Sequence, residues 1–212
     1  MRLLRRLALI AFTGLAVAHI AAPATHAGEA GDLVFADRGP WDLSAGPLVW
    51  AIDQKGPEVA GFVPLGQGTI TLRQVTDPSD GQPVLQLDEA TARINRKIGP
   101  FPVSGGDPSL TFFLETVSRD MAALTGGSPF YIRDRLKDAL FRGGAVEQQD
   151  GHPVASFQPF ATDPNRDRMY GFGDLTLRFV LDGPDRPIRR MLAETGPLAG
   201  DRPAYRNEMV LK

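Results

Sequence analysis

The chain has 212 residues, 42% of them hydrophobic and 23% charged, and it contains no cysteine. That balance is ordinary for a chain that folds around its own core, and it excludes disulfide scaffolds, thiolate metal sites and cysteine nucleophiles. The formal charge of −2 has the wrong sign for a surface that binds a nucleic-acid duplex.

Met1 to Arg6 carry three arginines, Leu7 to Ala22 form an apolar run interrupted only by Thr13, Gly14 and His19, and Ala22-Pro23-Ala24 or Thr25-His26-Ala27 supplies a small-residue cleavage site. This is the grammar of a secretory signal peptide, with cleavage expected after Ala27. The run is shorter than the roughly 20 apolar residues a spanning helix needs, so no stable membrane insertion is expected after cleavage. No cysteine stands at the cleavage point to take a lipid. Leu4 and Ala8, flanking Arg5-Arg6, depart from a twin-arginine signal. The expected mature protein is a single domain of residues 28–212 in the periplasm or secreted, and it is more acidic than the whole chain because three arginines leave with the signal.

Between Leu33 and Gly99, glycine and proline recur too often for long helices, and the intervening runs alternate with the period of half-buried strands. Leu48, Trp50 and Ile52 share one face, as do Ile70 and Leu72, with Thr69, Thr71 and Arg73 opposite. Leu85 and Leu87 repeat the pattern after the Pro78-Ser79-Asp80-Gly81 turn, and Ala92, Ile94 and Ile98 extend it against Thr91, Arg93, Asn95 and Lys97. An antiparallel meander with one wet face is expected.

The period then changes. Asp107 caps a predicted helix with Pro108 at its first position, and Leu110, Phe113, Leu114, Val117, Met121 and Leu124 form an apolar stripe that ends at Gly126-Gly127. Ser128 and Pro129 open a second helix with Ile132, Leu136, Ala139 and Leu140 inward, which ends at Gly143-Gly144. The helical hairpin thus spans about residues 107–143. Strand rhythm returns from Ala145, most plainly at Leu175, Leu177, Phe179 and Leu181, with closing strands over Ile188–Glu194 and Tyr205–Leu211. The expected fold is α+β: a single curled antiparallel sheet, in the order strands, two-helix hairpin, strands, with the helices packed on its concave face.

Chemistry is sparse. His19 and His26 leave with the signal, so His152, in the turn sequence Asp150-Gly151-His152-Pro153, is the one mature imidazole. No G-x-S-x-G elbow presents a serine nucleophile. No catalytic residue is assigned. Asp163, Asn165, Asp167 and Asp174 fall at positions 1, 3, 5 and 12 of a calcium-loop pattern. Arg168 replaces the turn glycine and Asp174 the bidentate glutamate, so calcium is a possible ligand of a loop that otherwise caps itself. Glu58, Glu89, Glu115, Glu147, Glu194 and Glu208 are all explained by solvated faces. Gly66-Gln67-Gly68 and Gly171-Phe172-Gly173 lead into strands, where they cannot cradle a phosphate. Phe130 and Tyr131 at a helix entrance are expected to staple it to the sheet.

As an order of elements over residues 33 to 212, with the apolar stripe and the many phenylalanines, the chain resembles periplasmic half-barrels of the lipoprotein-carrier type and exported bacterial β-rich proteins of unknown function. The resemblance carries no diagnostic motif and transfers no site residue. It implies a non-enzymatic protein that holds an apolar lipid or acyl ligand between sheet and helices; the helix's own apolar stripe offers Leu110, Phe113, Leu114, Val117 and Met121 as the wall. Two alternatives stand beside it: a carboxylate-based envelope hydrolase, and a structural protein that pairs with a protein partner through a sheet edge.

Overall fold

The structure is a computed structural model that describes residues 28–212; the expected signal peptide and its cleavage site lie outside the described residues. Among these residues nine strands form one antiparallel sheet in the order β4-β3-β2-β1-β9-β8-β7-β6-β5. The strands are β1 (Leu48–Lys55), β2 (Gly66–Thr76), β3 (Pro83–Thr91), β4 (Asn95–Pro102), β5 (Ala145–Gln149), β6 (His152–Phe157), β7 (Thr176–Val180), β8 (Arg190–Glu194) and β9 (Arg206–Leu211). Two meanders, β1 to β4 and β5 to β9, are sewn together by β9 pairing with β1, with Ile52 opposite Met209 and Gln54 opposite Asn207.

The helices α2 (Pro108–Thr125) and α3 (Pro129–Arg142) carry the chain from the β4 edge to the β5 edge across one face. Asp107 accepts from the Ser109 and Leu110 N–H groups at 2.9 and 3.1 Å, and Gly126, at φ 69°, stops α2 in the left-handed conformation that favours glycine. Helix α2 touches β2, β3 and β8. These contacts reach across the β1–β9 seam that joins the two meanders. The curled sheet expected from the sequence is present.

The inner face is dry through most of its area. Trp50, Ile70, Leu72, Leu85, Leu87, Phe157, Leu177, Phe179 and Met191 are fully buried, together with Phe113 and Val117 of α2. Phe113 meets Phe179 edge-on at 6.0 Å, and Phe179 meets Phe157 edge-on at 5.9 Å. One local reading is corrected. Ala92 to Ile94 form a turn rather than strand, closed by Thr91 accepting from the Ile94 N–H and donating its own N–H to the Ile94 carbonyl. A short helix, α1 (Glu29–Val34), also forms at the start of the described chain and packs on α3 through Gly31, where any side chain would strike the Leu140 carbonyl. Arg38 follows it, 6% exposed, donating to the Leu33, Val34, Ala36 and Arg186 carbonyls.

Candidate functional site

The apolar stripe was expected to wall a cavity, and the structure puts most of it to other use. Leu110, Phe113, Val117 and Met121 are buried in the continuous core, and Leu114 packs against its margin. Phe113 touches Phe179 directly, so the space between the first half of α2 and the sheet is filled by side chains. Leu110 and Leu114 border a cleft of about 310 Å³ beside Arg38 and Asp107. Of the five, Met121 reaches a groove that opens to solvent.

That groove, of about 430 Å³, lies between the α2–α3 corner and the loop that follows β6. Met121, Ile132 and Met169 form its buried floor, Tyr131 and Arg168 its walls, and Thr125, Ser128 and Asn165 its polar rim. Tyr131 is exposed by 37%, and its hydroxyl donates to the Asp163 carboxylate, whose oxygens lie 2.9 and 2.8 Å away. Asp163 also accepts from Arg135 Nε and the Asn165 N–H, each at 2.8 Å. Burial works to raise the Asp163 carboxyl, but these donors and the Arg135 charge outweigh it and hold the group below its ordinary value. Asp163 therefore clamps the 163–175 loop to α3 and fixes the width of the groove. Arg168, at the rim, is exposed and has no carboxylate partner among the described residues.

The calcium pattern is not assembled. Asp163 spends its oxygens on a phenol, a guanidinium and an amide, Asp174 pairs with Arg166, and Arg166 and Asp167 lie in a 3-10 turn (Arg166–Arg168). No group of three carboxylate or imidazole side chains is placed to hold a metal among the described residues. Phe130, expected to staple its helix to the sheet, is instead 72% exposed, with Arg133 5.6 Å from its ring centre. His152 begins β6, and its Nδ1 lies 2.9 Å from Asp182 on the outer face.

A second polar centre lies under the other side of α2. Asp120 Oδ2 accepts from Tyr205 Oη and from Gln54 Nε2, both at 2.7 Å. Glu89, 1% exposed, has one oxygen 2.6 Å from Arg96 Nε, while its Oε1 has no partner among the described residues. Burial, reinforced by the Glu89 charge, pushes the Asp120 carboxyl up to about 7 against the donors that favour ionisation. Tyr205, fully buried beside Asp120, is pushed well above the usual phenol range and stays a donor. Sequence reasoning missed Asp120, Gln54, Tyr205 and Arg168, and it passed over Glu89 as one solvated glutamate among six. A signal for three of them was present. The inward strand phases run Trp50-Ile52-Gln54, Leu85-Leu87-Glu89 and Met209-Asn207-Tyr205, each trading an apolar residue for a hydrogen-bonding one at a single end.

No family model, curated protein or solved structure matches the chain. None of the helices among the described residues is long and apolar enough to cross a membrane.

Proposed function

We propose that this is an exported, non-enzymatic binding protein whose ligand is a small amphiphile with an acyl body and an anionic head, taken up in the groove at the α2–α3 corner. The observation that carries the reading is the pairing of a methionine-lined floor, Met121, Ile132 and Met169, with the Arg168 guanidinium, which has no carboxylate partner among the described residues, on the same 430 Å³ groove. That volume falls in the range of small-molecule sites. Methionine adapts to flexible chains, and a guanidinium forks onto a carboxylate or phosphate. Thr125, Ser128 and Asn165 supply further hydrogen-bonding groups around the head. The acyl wall inferred from the sequence thus moves from the middle of α2 to its C-terminal end.

Decanoate titrated calorimetrically into the mature protein tests this. Saturable one-site binding is expected, weakened at least tenfold in Arg168→Glu, equivalent to about 1.4 kcal/mol, with an unchanged melting temperature. Octyl glucoside, which has a tail but no anion, should bind no better to wild type than to the variant. Absence of saturable decanoate binding, or equal affinity in Arg168→Glu, would overturn the reading.

A further inference from the structure

At the polar inner end of β1 and the segment entering β9, the loop of residues 56–65 between β1 and β2 packs on Gln54 and Tyr205. Val59 and Phe62 exchange two backbone hydrogen bonds of 3.0 Å, which makes the loop a compact tab. It has two seats on the body of the protein. The Phe62 ring stands edge-on to Tyr205 at 6.3 Å, and the Leu65 N–H donates to Gln54 Oε1 at 2.8 Å. Both seats are oriented by one atom, because Tyr205 Oη and Gln54 Nε2 each donate to Asp120 Oδ2. What Asp120 does is therefore transmitted to the tab through two side chains.

The groups facing Asp120 leave its charge uncompensated. From β3 comes Glu89, with a buried oxygen that has no partner among the described residues. From β4 comes Arg96, spent on Glu89 and half exposed. From β1 and from the segment entering β9 come Gln54, Tyr205 and Asn207, which carry no charge at neutral pH. The 163–175 loop contributes the Phe172 ring, 5.3 Å from Tyr205. With Asp120 neutral, the cluster holds one anion and one cation; with Asp120 ionised, it holds two anions, the buried Glu89 and the half-buried Asp120, against a single exposed cation, and water entering beneath the tab is the direct way to screen them.

We propose that residues 56–65 form a proton-operated latch, seated on the sheet while Asp120 holds a proton and released when Asp120 and Glu89 are both charged. The position of the Asp120 equilibrium, near 7, puts the switch close to neutrality. Lifting the tab uncovers Tyr205 and the polar end of the inner face. The latch is independent of the groove reading and goes beyond it.

Amide hydrogen exchange on the mature protein, corrected for intrinsic pH dependence, tests the latch. Between pH 5.5 and pH 8, protection of the Val59, Phe62 and Leu65 amides should fall at least tenfold, while Ile70 in β2 stays protected. In Asp120→Asn, which stays neutral and keeps both acceptor contacts, tab protection should be high and independent of pH. In Glu89→Gln, which removes the neighbouring anion and frees Arg96, the two-anion state cannot form, and the tab should stay protected up to pH 8. Tab protection that is independent of pH in wild type, or the same fall in Asp120→Asn or in Glu89→Gln, would each overturn the proposal.

Discussion

The two ends of α2 are built from opposite chemistry. The stretch from Leu110 to Val117 packs Phe113 and Val117 into the core, with Phe113 edge-on to Phe179, and fills the space beneath the helix except for the cleft of about 310 Å³ at its start beside Arg38 and Asp107. The C-terminal third presents Asp120 to the polar ends of β1, β3 and β9 on one side, while Met121 and Thr125 line the open groove on another. A single helix is thus a strut at one end and a platform at the other. The difference teaches where to look for function in such a fold: a close-packed apolar stretch excludes ligand and water alike, whereas the end that combines a half-buried carboxyl with a groove floored by methionines can respond to solutes and protons.

The contrast breaks most sharply at Phe113. Phe113→Ala removes a ring that the surrounding core cannot replace, and a loss of about 3–5 kcal/mol is expected. For a domain of this size that lowers the melting temperature by about 10 °C, measurable by circular dichroism at pH 7. A shift under 2 °C would mean that the strut end is no more committed to packing than the platform end.

Asp120→Asn sharpens the other side, with the opposite sign. Because the native carboxyl titrates near 7 and the unfolded one near 3.8, the native state holds a proton that the unfolded chain has released between those values. The stabilising contribution is complete below about pH 4 and is lost as pH rises through 7. Wild-type stability should therefore decline from pH 4 to 7, and Asp120→Asn should flatten that decline. At pH 8 the variant should be more stable by about 2–4 kcal/mol, read from urea midpoints across the pH series. Parallel pH profiles would show that Asp120 is ordinary.

The strut end was legible in the sequence and the platform end was not. The Asp107-Pro108 start, the stops at Gly126-Gly127 and Gly143-Gly144, and the stripe through Phe113 and Val117 are local signals, and the structure follows each of them. The closing strands around Leu177 and Met209 were visible through their period of two. What escaped depends on pairing between distant segments. Gln54 reads as the polar end of a strand until β9 sets Asn207 beside it and α2 sets Asp120 above it. Asp120 sits next to Met121 and reads as a helix-surface carboxyl, because sequence spacing does not reveal that Tyr205 will aim its hydroxyl there. Asp163 misled in the reverse direction: a calcium-like spacing conceals a carboxylate already saturated by Tyr131, Arg135 and Asn165.

The smallest effect is expected on the face of α2 that takes part in neither end's work. Glu115 accepts from Arg133 Nε and Arg133 Nη2 at 3.0 and 2.9 Å and from Arg119 at 3.0 Å, with both arginines partly exposed. Burial acts to raise its carboxyl, but Arg133 and Arg119 together hold it below the ordinary value. The stability this contributes is present above the unfolded carboxyl range and is lost as pH falls through the lower native value. Exposure and salt screening limit the contribution. Glu115→Gln should therefore lower stability by less than about 1 kcal/mol at pH 7, with the difference shrinking in molar salt and at pH 3. Loss of several kcal/mol, or no response to salt, would show that the bridge from α2 to α3 through Arg133 bears on packing. The corner that shapes the groove would then depend on charge as well as on the Asp163 clamp.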